Sequence, residues 1–154
     1  MNKNSPTIVA LLLFASVCAQ TFAETSDGVI RVKSQHSVVG TVAKLESALE
    51  SQGMTVFDRV SHSDGAANVG LELRPTVLVV FGNPKVGSPL MQCQQLAALD
   101  LPQKALAYED ADGQVWLAYN DPQYIARRHS VTGCDEVVNK ISKALADFSK
   151  AATE

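Results

Sequence analysis

Thr76-Val77-Leu78-Val79-Val80-Phe81-Gly82-Asn83-Pro84-Lys85-Val86-Gly87-Ser88-Pro89-Leu90-Met91-Gln92 is the stretch that decides how this chain is read. Val77 to Phe81 is short, apolar and β-branched, and turn residues bound it, as expected of a buried strand. Gly82-Asn83-Pro84 breaks that strand. Ser88 followed by Pro89 predicts a helix start, with a hydroxyl cap ahead of a proline at the first helical position. Strand, glycine-bearing turn and helix N-terminus together predict backbone N–H groups and a positive dipole end turned toward one place.

The same logic extends outward. Glu24 to Asp27 reads as a frayed polar leader. Gly28 to Lys33 alternates and predicts a first strand. Ser37 caps a helix to about Gln52, with Val38, Val42, Leu45 and Leu49 on one stripe and Gly53 ending it. Met54 to Val60 is a second strand, and Ser61 to Gly65 a loop that carries His62. After the central strand, a second helix is expected from Pro89 to about Ala98. Gln103 to Glu109 and Gln114 to Tyr119 form a hairpin across Asp110-Ala111-Asp112-Gly113. Tyr108, Trp116 and Tyr119 on it read as sheet packing. Asp121-Pro122 starts a short helix through Arg128. Thr132-Gly133-Cys134-Asp135 resembles a capping box and opens a last helix, with Ile141, Leu145 and Phe148 on its buried side. Ala151 to Glu154 is expected to fray.

The order β-α-β-β-α-β-β-α-α predicts an α+β two-layer sandwich. One face of a five-stranded, mainly antiparallel sheet would carry the helices. The open face would be bare or covered by a second copy, which predicts a homodimer or an envelope protein partner.

Residues 1–23 read separately. Lys3, the apolar run Thr7 to Ala19 and the small residues before Glu24 form a secretory signal peptide cut after Ala23, which predicts a periplasmic or secreted domain over residues 28–150. The run is too short to span a bilayer comfortably, so no stable membrane insertion is expected after cleavage. Cutting removes Lys3 from the 13 basic residues and none of the 16 acidic ones, so the mature net charge is −4. That balance argues against nucleic acid, which needs a clustered basic surface. Cleavage also leaves two cysteines, Cys93 and Cys134, in an oxidising compartment where they are expected to pair.

Three segments carry a resemblance: Thr41 to Phe57 (TVAKLESALESQGMTVF), Val69 to Gln92 (VGLELRPTVLVVFGNPKVGSPLMQ) and Asp100 to Pro122 (DLPQKALAYEDADGQVWLAYNDP). Together they resemble the domain-of-unknown-function 302 family, with FGNPKVGSPLMQ the most specific part. The resemblance implies a compact α+β domain related in topology to the TATA-binding-protein-like fold. It implies no activity. It marks Gly82, Asn83, Pro84, Lys85 and Gly87 as a signature loop.

That loop is the candidate ligand site. Gly82, Asn83, Lys85, Gly87 and Ser88 would cradle a small anionic ligand, with His62 as a nearby base. A P-loop is excluded, because Ser88 stands where the motif needs lysine. The plain alternative is a structural loop in which Gly82 and Gly87 serve backbone geometry. His36, His62 and His129 show no metal-ligand spacing, although metal or haem binding through histidines stays open. Asp110 to Gly113 lacks the glycine and acid of a calcium loop. No complete catalytic or cofactor motif is present, so the leading expectation is a non-catalytic exported binding domain, with an anion-binding enzyme or carrier as the alternative.

Overall fold

The computed structural model describes residues 24–26 and 28–154, and the expected signal peptide lies outside them. The strands are β1 (Glu24–Ser26), β2 (Val29–Lys33), β3 (Thr55–Ser61), β4 (Thr76–Gly82), β5 (Gln103–Glu109) and β6 (Val115–Asn120). The helices are α1 (Val38–Ser51), α2 (His62–Ala67), α3 (Pro84–Cys93), α4 (Pro122–Arg128) and α5 (Asp135–Thr153), with a 3₁₀ turn over Gln95–Asp100. The five expected strands form one antiparallel sheet in the order β2-β6-β5-β4-β3, and β1 adds a short sixth strand beyond β2. The fold is α+β, as the element order predicts.

Local chemistry explains most boundaries. The Ser37 hydroxyl accepts from Gly40 N–H at 3.2 Å and starts α1. Gly53, at φ +71°, ends it in the left-handed region that glycine tolerates. The Asp110 carboxylate accepts from the N–H groups of Asp112 and Gln114 at 3.0 and 2.9 Å, which closes the late hairpin. Asp121 caps α4 by accepting from Gln123 N–H at 3.0 Å.

The core lies between one sheet face and the two long helices. Val38, Val42, Leu45 and Leu49 of α1 and Val138, Ile141, Leu145 and Phe148 of α5 pack on Val79, Phe81, Ala105, Ala107, Leu117 and Tyr119. Strand alternation sends Leu78, Val80, Leu106, Trp116 and Ala118 to the other face. There Arg31 lies 4.3 Å from the centre of the Trp116 ring, a cation–π contact, and Trp116 Nε1–H donates to Asp110 Oδ2 at 2.7 Å.

Four expectations are corrected. The leader does not fray throughout, because Glu24–Ser26 pairs with β2. The tail is not frayed either: Ala152 and Thr153 are buried, and Gln35 N–H donates to the Thr153 carbonyl at 3.0 Å. The last helix starts at Asp135 after Cys134, with no side-chain cap, so the capping box around Thr132 does not form. The segment after β3, expected to be a loop, holds the helix α2.

Candidate functional site

The fifth correction concerns the signature loop. Helix α3 starts at Pro84, five residues before the expected Pro89, and Pro89 lies inside it. Two cap-and-proline pairs compete here, Asn83-Pro84 and Ser88-Pro89, and the first prevails. Asn83 Oδ1 accepts from Lys85 N–H at 2.9 Å, and its Nδ2 donates to the Gly53 carbonyl at 2.8 Å. One side chain thereby caps α3 and ties it to the turn after α1.

The early start removes the anion cradle. Pro84 has no N–H to offer. Lys85 N–H is taken by the Asn83 side chain, and the Val86 and Gly87 N–H groups both reach the Asn83 carbonyl at 2.9 Å. The helix start therefore has no free donor for an anion, and the exposed Lys85 side chain is not part of the wall described below. His62 is not brought to this end. Thr55 lies opposite Gly82 and Ser61 opposite Val77, so His62 stands about 20 Å away along β3. It is exposed, and no hydrogen bond or ion pair joins it to Asp64 or Glu72.

The two glycines do not serve backbone geometry in the expected way, since neither has a positive φ. A Cβ on Gly82 would meet Phe57 Cε2 at 3.2 Å and Pro102 Cβ at 3.6 Å, so that position is kept small by close packing. Phe57 is delivered there by a β-bulge, where the β3–β4 register shifts between Val56 and Asp58. A Cβ on Gly87 would meet only Leu101 Cδ1, at 3.8 Å, an ordinary contact. Gly87 thus weakens a helix interior with no local geometric need.

What Gly87 borders is a cavity of about 460 Å³. Its walls come from the strand end and α3 (Gly82, Val86, Gly87, Met91), the segment after the 3₁₀ turn (Leu101, Pro102), and α5 (Ile141, Ala144, Leu145, Phe148). Met54 and Phe57 complete it, and Phe57 is 53% exposed. Three polar side chains join this lining: Asn83, Ser88 and Gln103. Asn83 is committed at both ends, and Ser88 is exposed. Gln103 is 7% exposed, and its Nε2 is buried without a hydrogen-bond partner. Leaving such a donor unpaired costs about 1–3 kcal/mol. Gln103 was not singled out from the sequence, although alternation with Ala105 and Ala107 already places it on the core face.

Cys93 ends α3 and Cys134 precedes α5. Their Cα atoms are 6.5 Å apart, within the span of a disulfide. A second polar cluster secures the far side of the cavity wall. The Asp100 carboxylate meets His129 Nε2 at 2.6 Å and Arg128 Nη1 at 3.0 Å, which fixes the end of α4 to the 3₁₀ turn. The three histidines sit on separate elements, and among the described residues no group of three His, Cys, Asp or Glu side chains could hold a metal ion. The histidine metal site is not supported.

Electrostatic perturbation lies away from the cavity. The Trp116 hydrogen bond, outweighing desolvation, holds the Asp110 carboxyl below the usual carboxylate range, with help from the Gln114 and Asp112 N–H groups and Arg31. Burial raises the Tyr119 phenol, against the opposing effect of its Ser149 hydrogen bond.

The structure therefore defines a single α+β domain with an apolar cavity beneath its signature segment. By sequence it belongs to the family described as Domain of unknown function DUF302, matched over residues 30–148. A crystal structure of an uncharacterized conserved DUF302 protein from Bacillus stearothermophilus has the same fold, with a TM-score of 0.74 and 21% identity, covering 81% of this chain and 98% of that one. Proteins named Fluoride-specific ion channel FluC 1, from Brucella suis and Brucella abortus, are 47% identical over 113 residues, 73% of this chain. The match covers 44% and 42% of their lengths, so this chain corresponds to less than half of each. No helix among the described residues is long and apolar enough to cross a membrane.

Proposed function

We propose that this is an exported, non-catalytic binding domain that takes an apolar small molecule into the cavity between α3, α5 and the β3–β4 end of the sheet. The observation that carries the reading is the cavity itself, about 460 Å³ with almost wholly apolar walls, within the size range of small-molecule sites. Export in the periplasmic or secreted sense follows from the signal-like residues 1–23, and oxidation of Cys93 with Cys134 follows from that compartment. Ion conduction, named for the Brucella proteins, is not carried over, since the match spans under half of each. The anionic ligand of the sequence reading gives way to an apolar one, because the helix start has no free donors.

Native mass spectrometry of the mature protein from the exported fraction tests this. Added mass that is lost on denaturation and extracts into organic solvent is the expected result. A bare protein whose melting temperature is unmoved by apolar probes would overturn the reading. A second reading concerns partners. Leu78, Val80 and Leu106 are only half-buried on the sheet face away from α1 and α5. This favours a homodimer, or an envelope protein partner, through that face. Analytical ultracentrifugation of wild type and Leu106→Glu is expected to show a dimer that the variant dissociates, and a wild-type monomer at high concentration would contradict it.

A further inference from the structure

We infer that the ligand is a single-chain amphiphile: an alkyl or acyl chain that lies along the cavity, with a polar head that stays in water and that the protein does not read. This rests on the proposed apolar-ligand function and specifies its ligand.

The shape comes from two helix stripes. The lining includes Pro84, Gly87, Ser88 and Met91 of α3. From α5 it takes Ile141, Ala144, Leu145 and Phe148. Both sets follow the i, i+3, i+4, i+7 spacing of one helix face. Seven residues of helix rise about 10 Å, so each stripe is a strip of that length. The side chains are smallest near the middle of each strip, at Gly87 and Ala144. A Cβ on Gly87 would meet only Leu101 Cδ1, at 3.8 Å, so the space beside it is open. A long space between two such strips suits a flexible chain better than a compact ring system.

Burial gives the orientation. Ile141, Leu145 and Phe148 are buried. Pro84, Ser88, Ala98 and Pro102 are exposed, and Phe57 is 53% exposed. The cavity therefore has a closed apolar side and a side open to solvent.

Polarity decides where the head goes. No charged side chain belongs to the lining. Asn83 is bonded at both ends, and the Gln103 Nε2 is closed off from solvent. Ser88 is a polar side chain on the open side. A charged or strongly polar group drawn inward would lose its water without gaining a partner, and that cost exceeds what its own burial returns. The head therefore stays at the open side, and the chain supplies the binding free energy.

Displacement of N-phenyl-1-naphthylamine from wild type by defined amphiphiles, each below its micelle-forming concentration, tests this. From hexanoate to decanoate, each added methylene is expected to strengthen binding by about threefold. Decanoate, decan-1-ol and decyltrimethylammonium are expected to agree within about fivefold, because they share the buried chain. Undecanoate is expected to bind more tightly than 1-adamantanecarboxylate, which has the same head and the same carbon count in a compact cage. Ala144→Phe is expected to weaken decanoate more than hexanoate, because the longer chain needs more of the strip. A chain-length series without slope, a preference of more than about tenfold among the three heads, tighter binding of the cage, or an unchanged series in Ala144→Phe would each overturn the amphiphile while fluorophore binding keeps the apolar-ligand function. Failure of wild type to bind the fluorophore and every chain would overturn that function and this inference with it.

Discussion

Helices α3 and α5 wall the same cavity and are built in opposite ways. Helix α5 runs for 19 residues and buries Val138, Ile141, Leu145, Phe148 and Ala152 along one side. Helix α3 runs for 10, contains Gly87 and Pro89 in its interior, and buries only Leu90 fully. Pro89 has no N–H to donate back along the helix, and Gly87 adds backbone entropy to the unfolded chain. The difference shows where the sequence favours stability and where it keeps space. Helix α5 supplies the hydrophobic seam, whereas α3 is held at its start by the Asn83 cap and ends at Cys93, whose Cα lies 6.5 Å from that of Cys134.

The comparison can be broken at its tether first. Replacing Cys93 and Cys134 together by alanine opens a loop set by a sequence separation of 41, for which the chain-entropy model gives about 4 kcal/mol. Denaturant unfolding of the oxidised protein and the variant measures it, and equal stabilities would mean that α3 is not tethered through these residues. Next come matched truncations on the two walls. Leu145→Ala in α5 is expected to cost about 3 kcal/mol, as buried leucines do. Met91→Ala in α3, already facing empty space, is expected to cost less than about 1 kcal/mol. Similar losses would erase the contrast.

A smaller effect of opposite sign sharpens it. Gly87→Ala adds a methyl with only Leu101 Cδ1 near it, at 3.8 Å. Stability is expected to rise by about 0.5–1 kcal/mol, from helix propensity, while affinity for N-phenyl-1-naphthylamine falls. A stabilised variant with unchanged affinity would assign Gly87 no part in shaping the cavity.

The smallest effect serves as a control far from both helices. A carboxyl held below its unfolded pKa stabilises the fold fully above about pH 4, and that stabilisation is lost as pH falls through the lowered folded value. Asp110 is such a group, and it accepts from the sole tryptophan, Trp116. Trp116 emission is therefore expected to change in acid below about pH 4. Asp110→Asn should abolish that change without altering the response to the naphthylamine probe.

Much of the fold was legible because local chemistry and period agreed. Ser37 and Gly53 bracket α1, the Asp110 turn closes the hairpin, and α5 carries a clear apolar stripe. The start of α3 was not, because Asn83-Pro84 and Ser88-Pro89 are equally good cap-and-proline pairs in one dimension. The choice was made by Gly53, whose carbonyl Asn83 reaches only in the folded protein. The cavity was illegible for a similar reason, since its walls are more than 80 residues apart in sequence at their extremes. Gln103 left a trace, as a polar residue in an otherwise small and apolar alternation, but a strand end ordinarily exposes glutamine. The anion cradle failed on backbone accounting: a helix start donates to an anion only where its own cap has left N–H groups free.

The most direct test of the apolar cavity is equilibrium titration of N-phenyl-1-naphthylamine into wild type and Ala144→Phe. Ala144 lines the cavity from α5 and is partly exposed to it, so a phenyl ring there fills the space. The account expects saturable one-to-one binding by wild type, and affinity weakened by at least about tenfold in a variant that melts no lower. Equal fluorescence enhancement by the two proteins would place the probe elsewhere and contradict the cavity as the binding site.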